Sequence, residues 1–260
     1  MLLVEKKDGI ARVTLNRPDV RNAFDDALIK VLHESFISLG EDESVRTVIL
    51  AGNGPAFCAG ADLNWMKRMA GYGYEQNLAD AQALAEMLAA LDRMPKPTIA
   101  RVHGPAFAGG TGLVAACDIA VGTPEAKFCF SEAKLGLSPA TISPHVMRAI
   151  GERAARRYFL TAEVFDAAEA CRIGLLSSVV SSQELDSSIE ELSKHLLAGG
   201  PEAMRKIKEL IRAVTSRPVD DALVADTAKR IAEIRVSPEG KEGIASFLEK
   251  RKPSWCSKKS

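Results

Sequence analysis

Two segments of small residues each follow a predicted strand directly, at the point where a loop turns into a helix. Residues 57–63 read FCAGADL, and residues 104–113 read GPAFAGGTGL. Small side chains let a ligand approach backbone N–H groups, and the start of a helix adds positive potential there. If both junctions face one point, they form an oxyanion hole with two N–H donors. The alternative is that the glycines serve only tight turns and close helix packing.

A carboxylate, Glu132, follows a stretch that is free of charge, since residues 128–131 read FCFS. Desolvation by apolar neighbours raises the pKa of a carboxyl group, which suits that group to general acid/base catalysis. The alternative is a surface carboxylate at the start of a helix. The spacings of the cysteines match no metal site, and an oxyanion hole with one carboxylate needs neither a metal nor a redox cofactor.

Short strand patterns alternate with helical patterns in the first half of the chain, and from about residue 151 the pattern is helical throughout. The predicted strands cover 10–16, 45–52 and 98–102. The predicted helices cover 23–39, 77–91, 152–160, 166–173, 183–198, 202–214, 219–235 and 238–250. This order indicates an α/β fold. We expect an α/β core over 1–180, followed by a helical region over 181–260.

The composition excludes several classes of partner. The chain has 34 basic and 34 acidic residues and only 5% aromatic residues, which disfavours binding to nucleic acid. No apolar run approaches the roughly 20 residues that span a bilayer. An odd number of cysteines, five in a long chain, favours free thiols in a reducing compartment. We therefore expect a cytoplasmic protein without a membrane partner.

Short motifs occur in a fixed order along nearly the whole chain. They are Arg21-Asn22-Ala23, Ala59-Gly60-Ala61-Asp62, Gly104-x-Ala106-x-Ala108-Gly109-Gly110, Cys117-Asp118 and Phe130-Ser131-Glu132 with Gly136. Together they resemble the enoyl-CoA hydratase/isomerase (crotonase) superfamily. Residues 131–137 and 150–158 are similar to bacterial methylglutaconyl-CoA hydratase-like members in particular, and 167–175 and 247–251 extend the match.

The resemblance implies a crotonase-type spiral of ββα units with a helical C-terminal trimerisation region, in a homotrimer or a hexamer of two trimers. It also implies an acyl-CoA thioester as the substrate, with no separate cofactor. By the family's pattern, the N–H groups of Ala61 and Gly109 bind the thioester oxygen and Glu132 transfers the proton. The residues expected to contact coenzyme A, the last of them often across a subunit boundary, are Arg21, Ala23, Ala61, Asp62, Leu63, Asn64 and Lys250.

One position departs from the hydratase pattern. Hydratases of the family generally use two glutamates to activate water, and the second would stand three residues after Gly109, where this chain has Gly112. Members with a single glutamate at the Glu132 position include enoyl-CoA isomerases. Hydration would depend on Glu132 alone, or on help from Thr111, Thr141 or His145. A further hypothesis is that Gly112 leaves room for a larger acyl chain.

Three functions stay open on this basis. The leading one is a hydratase that adds water to a 2-enoyl-CoA, with a branched or methylglutaconyl-CoA-like acyl group. An isomerase that uses Glu132 as its only proton shuttle is the second. The third is a non-catalytic protein that binds CoA or RNA, to which the basic tail over 250–260 would contribute. Trp65, Met66 and Met69 follow the first small-residue segment at helical spacing and either wall an acyl pocket or belong to the core.

Overall fold

Two β-sheets and ten α-helices make up the part of the chain that the computed structural model describes, residues 1–256. The strands are β1 (Leu2–Lys7), β2 (Ile10–Leu15), β3 (Thr47–Gly52), β4 (Thr98–Val102), β5 (Ala106–Phe107), β6 (Ile119–Gly122), β7 (Lys127–Cys129), β8 (Phe165–Asp166) and β9 (Ser178–Val179). The helices are α1 (Asp26–Glu41), α2 (Leu63–Met69), α3 (Tyr74–Arg93), α4 (Gly109–Ala116), α5 (Ser143–Thr161), α6 (Ala167–Arg172), α7 (Leu185–Ala198), α8 (Pro201–Val214), α9 (Asp221–Val236) and α10 (Pro238–Leu248). Residues 257–260, the end of the basic tail, lie outside the described residues.

The larger sheet has six strands in the order β1-β2-β3-β4-β6-β9. β1 and β2 form an antiparallel hairpin, and the later neighbours are parallel. The three predicted strands are confirmed as β2, β3 and β4. β3 is buried at all six positions, as expected for a parallel strand covered on both faces. β1 is an additional strand, and because five of its six residues are exposed, its sequence lacks the alternation that marks a half-buried strand.

The smaller sheet has the order β5-β7-β8. An isolated parallel bridge between Cys58 and Ala106 adds the segment after β3 to this sheet. The chain therefore repeats one unit: a strand of the larger sheet, a short stretch in the smaller sheet, and then a helix. The repeats are β3 with Cys58 and α2–α3, β4 with β5 and α4, and β6 with β7 and α5. This arrangement confirms the expected spiral of ββα units.

The ends of two helices show how local sequence sets their limits. Asp25 caps α1 by accepting a hydrogen bond from the N–H of Leu28 at 2.8 Å. The predicted helix over 152–160 is wrong in extent, because α5 begins at Ser143. Gly151 takes φ 73° and ψ 163° inside this helix, a conformation that glycine adopts readily. The resulting kink breaks the helical periodicity, so the pattern marks only the second half.

The C-terminal helices pack on the core at two places. α7 covers one face of the larger sheet, where Leu185 and Ile189 join a buried apolar cluster. α8 is tied to the ends of β4 and β6 by Lys208, which is 7% exposed. Its Nζ donates to Asp118 Oδ2 at 2.5 Å and to the carbonyl oxygen of Lys96 at 3.1 Å. The helices predicted over 166–250 are confirmed within a few residues as α6 to α10.

Helices α8 to α10 leave a set of large apolar side chains exposed. They are Ile207, Ile211, Val224, Ile231, Val236, Ile244, Phe247 and Leu248. Within residues 1–256, no helix combines the length and the apolar character that a bilayer span requires.

Candidate active site

Three parallel segments run side by side in and beside the smaller sheet. Ala106 pairs with Cys58 on one side and with Phe128 on the other. Three residues beyond these positions the chain reaches Ala61, Gly109 and Ser131, the residue before Glu132. Because parallel segments in register end at the same edge of a sheet, the structure brings the three predicted catalytic residues to one edge. The loop segments also touch, since a Cβ placed on Gly60 would lie 3.2 Å from the Ala108 methyl.

The N–H groups of Ala61 and Gly109 have no hydrogen-bond acceptor among the described residues. Beside Ala61, the N–H of Phe24 donates to Gly60 O, and the N–H of Asp62 donates to Phe24 O, each at 2.7 Å. This pairing turns the N–H of Ala61 away from Phe24. Gly109 is the first residue of α4, where N–H groups have no partner within the helix. Both residues are half-buried, so neither lies wholly within the core.

Glycine at position 109 also serves close packing. The small residues therefore allow tight helix packing and also leave backbone N–H groups open to a ligand. A Cβ on Gly109 would lie 2.7 Å from Cε2 of the Phe24 ring, well inside van der Waals contact. Phe24 is fully buried. The aromatic ring therefore supports the first turn of α4 from behind and keeps its first N–H group in place.

Glu132 lies in a 3₁₀ turn over Ser131–Leu135 and is half-buried. Its Oε2 atom is shielded from solvent and has no hydrogen-bond partner among the described residues. Burial raises the pKa of the Glu132 carboxyl above its ordinary value, and a hydrogen bond from the residue's own backbone N–H opposes this only in part. A buried, unpartnered carboxylate oxygen is costly for the fold and marks a candidate functional group.

Asp62 is nearly fully buried and is committed to the protein. It caps α2 by accepting hydrogen bonds from the N–H groups of Asn64 at 2.8 Å and Trp65 at 3.4 Å, and Arg17 Nη2 lies 3.2 Å from its Oδ2. Burial alone would raise the pKa of Asp62, but these N–H donors and Arg17 together hold it below its ordinary value. Arg17 Nη1 also donates to the carbonyl oxygen of Ala23 at 2.7 Å.

The other residues expected to contact coenzyme A lie at two places. The carbonyl oxygen of Arg21 accepts a hydrogen bond from the N–H of Ala59 at 3.0 Å, and Leu63 and Asn64 are exposed in the first turn of α2. These residues therefore border the Ala61 segment. Lys250 is exposed directly after α10, and among residues 1–256 no hydrogen bond or ion pair joins it to this border.

Two residues that support the site, Arg17 and Asn22, have roles that local sequence does not signal. Asn22 is fully buried, and its Oδ1 accepts a hydrogen bond from the N–H of Arg17 at 2.8 Å. Its Nδ2 donates to the carbonyl oxygens of Asn53 at 2.8 Å, Ala56 at 2.9 Å and Phe57 at 3.2 Å. Asn22 thus holds the loop that leads into the Ala61 segment. The motif Arg21-Asn22-Ala23 marks this position, but its partners are distant in sequence.

The space beside Gly112 is occupied. A Cβ on Gly112 would lie 2.5 Å from Cγ2 and 3.0 Å from Cβ of Ile142, with Leu88 also near at 3.8 Å. Ile142 is 2% exposed. The hypothesis that Gly112 leaves room for a larger acyl chain is therefore not supported by the packing, and a glutamate at this position would displace Ile142.

The three polar residues considered as helpers differ in their surroundings. The hydroxyl of Thr111 donates to the carbonyl oxygen of Ala106 at 2.6 Å, so its proton is already engaged. His145 is buried, its Nδ1 lies 3.3 Å from Arg148 Nη2, and burial lowers its pKa below the ordinary value. Thr141 is half-buried. Thr141 therefore has the least committed side chain of the three.

The aromatic and sulfur-containing residues near the site are mainly core residues. Trp65 belongs to the buried core, with Met69 packed against it, and its Nε1 donates to Asp80 Oδ1 at 3.2 Å. Cys58 is fully buried, and burial raises its pKa to about 12. Within residues 1–256, no three His, Cys, Asp or Glu side chains are grouped as metal ligands would be.

Comparison with known proteins places this chain in one family. Residues 5–258 match the family model described as enoyl-CoA hydratase/isomerase. The crystal structure of an enoyl-CoA hydratase from Shewanella pealeana is 43% identical with a TM-score of 0.95, over 98% of this chain and 95% of that one. Enoyl-CoA hydratase EchA19 of Mycobacterium tuberculosis is 34% identical over 255 residues, 97% of this chain and 95% of the relative. Crotonyl-CoA hydratase of Syntrophomonas wolfei is 30% identical over 259 residues, 99% of this chain and 98% of the relative. The chain belongs to the enoyl-CoA hydratase/isomerase family of the crotonase superfamily.

Proposed function

We propose that this protein is an enoyl-CoA hydratase that adds water to a 2-enoyl-CoA thioester. In this proposal the N–H groups of Ala61 and Gly109 bind the thioester oxygen, and Glu132 transfers the proton. The observation that carries the proposal is the buried, unpartnered Oε2 of Glu132, at the sheet edge where two N–H donors have no acceptor among the described residues. No cofactor is needed, because the acyl-CoA is itself the substrate.

The chemistry requires charge to build up on the thioester oxygen. The Glu132 carboxylate accepts a proton from water while the water oxygen bonds to C3, and the electrons of the C2–C3 double bond move to the thioester oxygen. Two preorganised N–H donors stabilise this enolate, and removing one such donor raises the barrier by about 3–4 kcal/mol. Glu132 then returns the proton to C2, so that one water molecule has been added and the carboxylate is regenerated.

Coenzyme A contact is proposed along the border of the Ala61 segment, at Arg21, Leu63 and Asn64. The exposed positions of Arg21, Leu63 and Asn64 support it. Ala23 and Asp62, also expected to make contact, are buried, so we propose that they shape this border without presenting a free side chain. For Lys250 we propose contact across a subunit boundary, in a homotrimer or a hexamer of two trimers. The apolar side chains exposed on α8 to α10 support such an assembly. The described cysteines are all free, which supports a cytoplasmic location.

A second candidate is an enoyl-CoA isomerase, favoured by the packing of Ile142 against Gly112. In that reaction Glu132 removes a proton from C2 of a 3-enoyl-CoA and returns it to C4, while the double bond moves from C3–C4 to C2–C3. The intermediate is a dienolate whose negative charge lies on the same thioester oxygen. One carboxylate is sufficient, and no water takes part. Of the two reactions, isomerisation makes the smaller demand on the groups present at the site.

Two substrates distinguish these reactions. Hydration removes the conjugated double bond of a 2-enoyl-CoA, so its ultraviolet absorbance falls when enzyme is added. An isomerase instead creates that absorbance from a 3-enoyl-CoA. A panel of straight, branched and carboxylated acyl groups, including methylglutaconyl-CoA, tests the proposed preference for a branched substrate. Absorbance that is unchanged for the whole panel in both directions would refute both reactions.

Glu132→Gln tests the assignment of the proton-transfer residue. The variant keeps the shape of the side chain but cannot accept a proton, so we expect kcat to fall about 10²–10⁴-fold while CoA binding is retained. Glu190→Gln, an exposed position on α7, is the matched control and should keep full activity. Full turnover by Glu132→Gln would show that another group transfers the proton.

A further inference from the structure

Ala108 has the least favourable backbone conformation near the site. It takes φ 47° and ψ −118°, the conformation of the first central residue of a type II′ turn, where glycine is strongly preferred. Arg21 and Ala162 also have positive φ, but their ψ values of 39° and 32° lie in the ordinary left-handed region. Alanine at position 108 therefore holds a conformation that a residue with a Cβ rarely adopts.

Ala108 also contacts each of the three segments that form the site. Its N–H donates to the carbonyl oxygen of Cys129 at 2.8 Å, in the strand that leads to Glu132. Its carbonyl oxygen accepts the N–H of Gly112 at 3.1 Å, the first hydrogen bond of α4. Its methyl group lies against Gly60, the residue before Ala61. Gly60 itself has φ 92°.

We propose that Ala108 is a positioning residue that sets the direction of the Gly109 N–H relative to that of Ala61. The inference rests on the proposed oxyanion hole. The ψ angle of Ala108 orients the peptide group that carries the Gly109 N–H. The methyl group faces Gly60, so closely that a Cβ on Gly60 would lie 3.2 Å from it, and with this neighbour it limits rotation of that peptide. Glycine at this position would relieve the strain, but it would also free the peptide to rotate.

The proposal predicts that Ala108→Gly stabilises the protein and weakens the oxyanion hole. We expect the melting temperature to rise by about 2–4 °C and kcat to fall about tenfold, with KM within about twofold of wild type. Ala108→Ser keeps the Cβ wedge and should retain kcat. Ser216→Gly removes a positive φ of 61° in the exposed loop between α8 and α9, so it serves as a control that changes stability alone.

A second measurement reports the oxyanion hole without turnover. Acetoacetyl-CoA ionises to an enolate that absorbs in the near ultraviolet, and the pKa of the bound ligand falls when N–H donors stabilise the enolate. We expect this pKa to be higher on Ala108→Gly than on wild type and unchanged on Ala108→Ser. A merely structural role for Ala108 would change the melting temperature and leave the pKa of the bound ligand unaltered.

The outcomes separate the proposal from the function on which it rests. An Ala108→Gly variant with wild-type kcat and wild-type ligand pKa would overturn the positioning role. A lowered melting temperature of that variant would contradict the claim that the backbone of Ala108 is strained. Wild-type protein that neither converts any enoyl-CoA nor shifts the pKa of acetoacetyl-CoA would refute the oxyanion hole itself. Activity in wild type together with a slower, more stable Ala108→Gly variant would support both.

Discussion

The contact between Gly112 and Ile142 provides a quantitative test of the packing behind the site. Gly112→Ala gains helix propensity of up to about 1 kcal/mol within α4. Its new Cβ, however, would lie 2.5 Å from Ile142 Cγ2, and overpacking of a core costs about 1–3 kcal/mol. Because Ile142 is 2% exposed and cannot move into solvent, the clash should outweigh the gain in propensity. We expect a net loss of about 1–2 kcal/mol in the free energy of unfolding.

The same contact predicts a compensating pair. Ile142→Ala alone should cost about 2–5 kcal/mol, because it leaves a cavity in the core. In the double variant the methyl group introduced at position 112 no longer meets Cγ2, so the combined loss should be smaller than the sum by about 1–3 kcal/mol. Urea unfolding of wild type, both single variants and the double variant measures this coupling. Gly112→Ala with Ile150→Ala, a buried position within α5, is the control pair and should be additive. Additivity within about 0.5 kcal/mol for the Ile142 pair would refute the argument.

Three further predictions follow from buried charges. Burial raises the pKa of Glu132, so the folded state binds that proton more tightly than the unfolded state; this contribution to stability is complete below the unfolded pKa of about 4.3 and is lost as pH rises through the folded pKa. Glu132→Gln should therefore be more stable than wild type at pH 7 in urea unfolding. A difference in stability that does not shrink toward pH 4 would contradict this. For the same reason kcat/KM should rise with pH through the raised pKa of Glu132. A profile that is flat from pH 4 upward would exclude Glu132 as the titrating base. Asp118→Asn should lower the free energy of unfolding by about 3–5 kcal/mol, because it leaves the buried Lys208 cation without its ion-pair partner. Lys208→Met should lower it less, because Asp118 is 31% exposed and keeps two donors from Thr98. Equal losses in urea unfolding would contradict this asymmetry.

The sequence predicts the parts of the fold that depend on local patterns. β2, β3 and β4 alternate or form apolar runs, and α6 to α10 carry apolar residues at helical spacing, so each was accessible to periodicity. The cap that Asp62 forms on α2 is a contact of the same local kind, because it involves residues only two or three positions away. β1 and the first half of α5 gave no comparable pattern, because one is almost fully exposed and the other is kinked at Gly151.

The supports of the site could not be predicted in the same way. Asn22 contacts carbonyl groups more than 30 residues away, and Ile142, the residue before α5, fills the space beside Gly112. These contacts exist only because the spiral brings successive ββα units together. A motif can indicate that a glycine is needed, but only the packing distinguishes a glycine that opens a pocket from one whose space a neighbouring side chain fills.

Several features that disfavour folding occur at the edge where Ala61, Gly109 and Glu132 meet. Glu132 there has a buried carboxylate oxygen without a partner among residues 1–256, and Ala108 has a strained backbone. Such features persist only where the surroundings hold them in place. The N–H of Ala108 is held by the carbonyl oxygen of Cys129, and the hydrogen bonds of Asn22 and Arg17 hold the segments beside Ala61. Substitutions at this one edge should therefore have opposite effects on stability. Those that relieve the cost, Glu132→Gln and Ala108→Gly, should raise stability while activity falls. Those that remove a support, such as Asn22→Ala, should lower both.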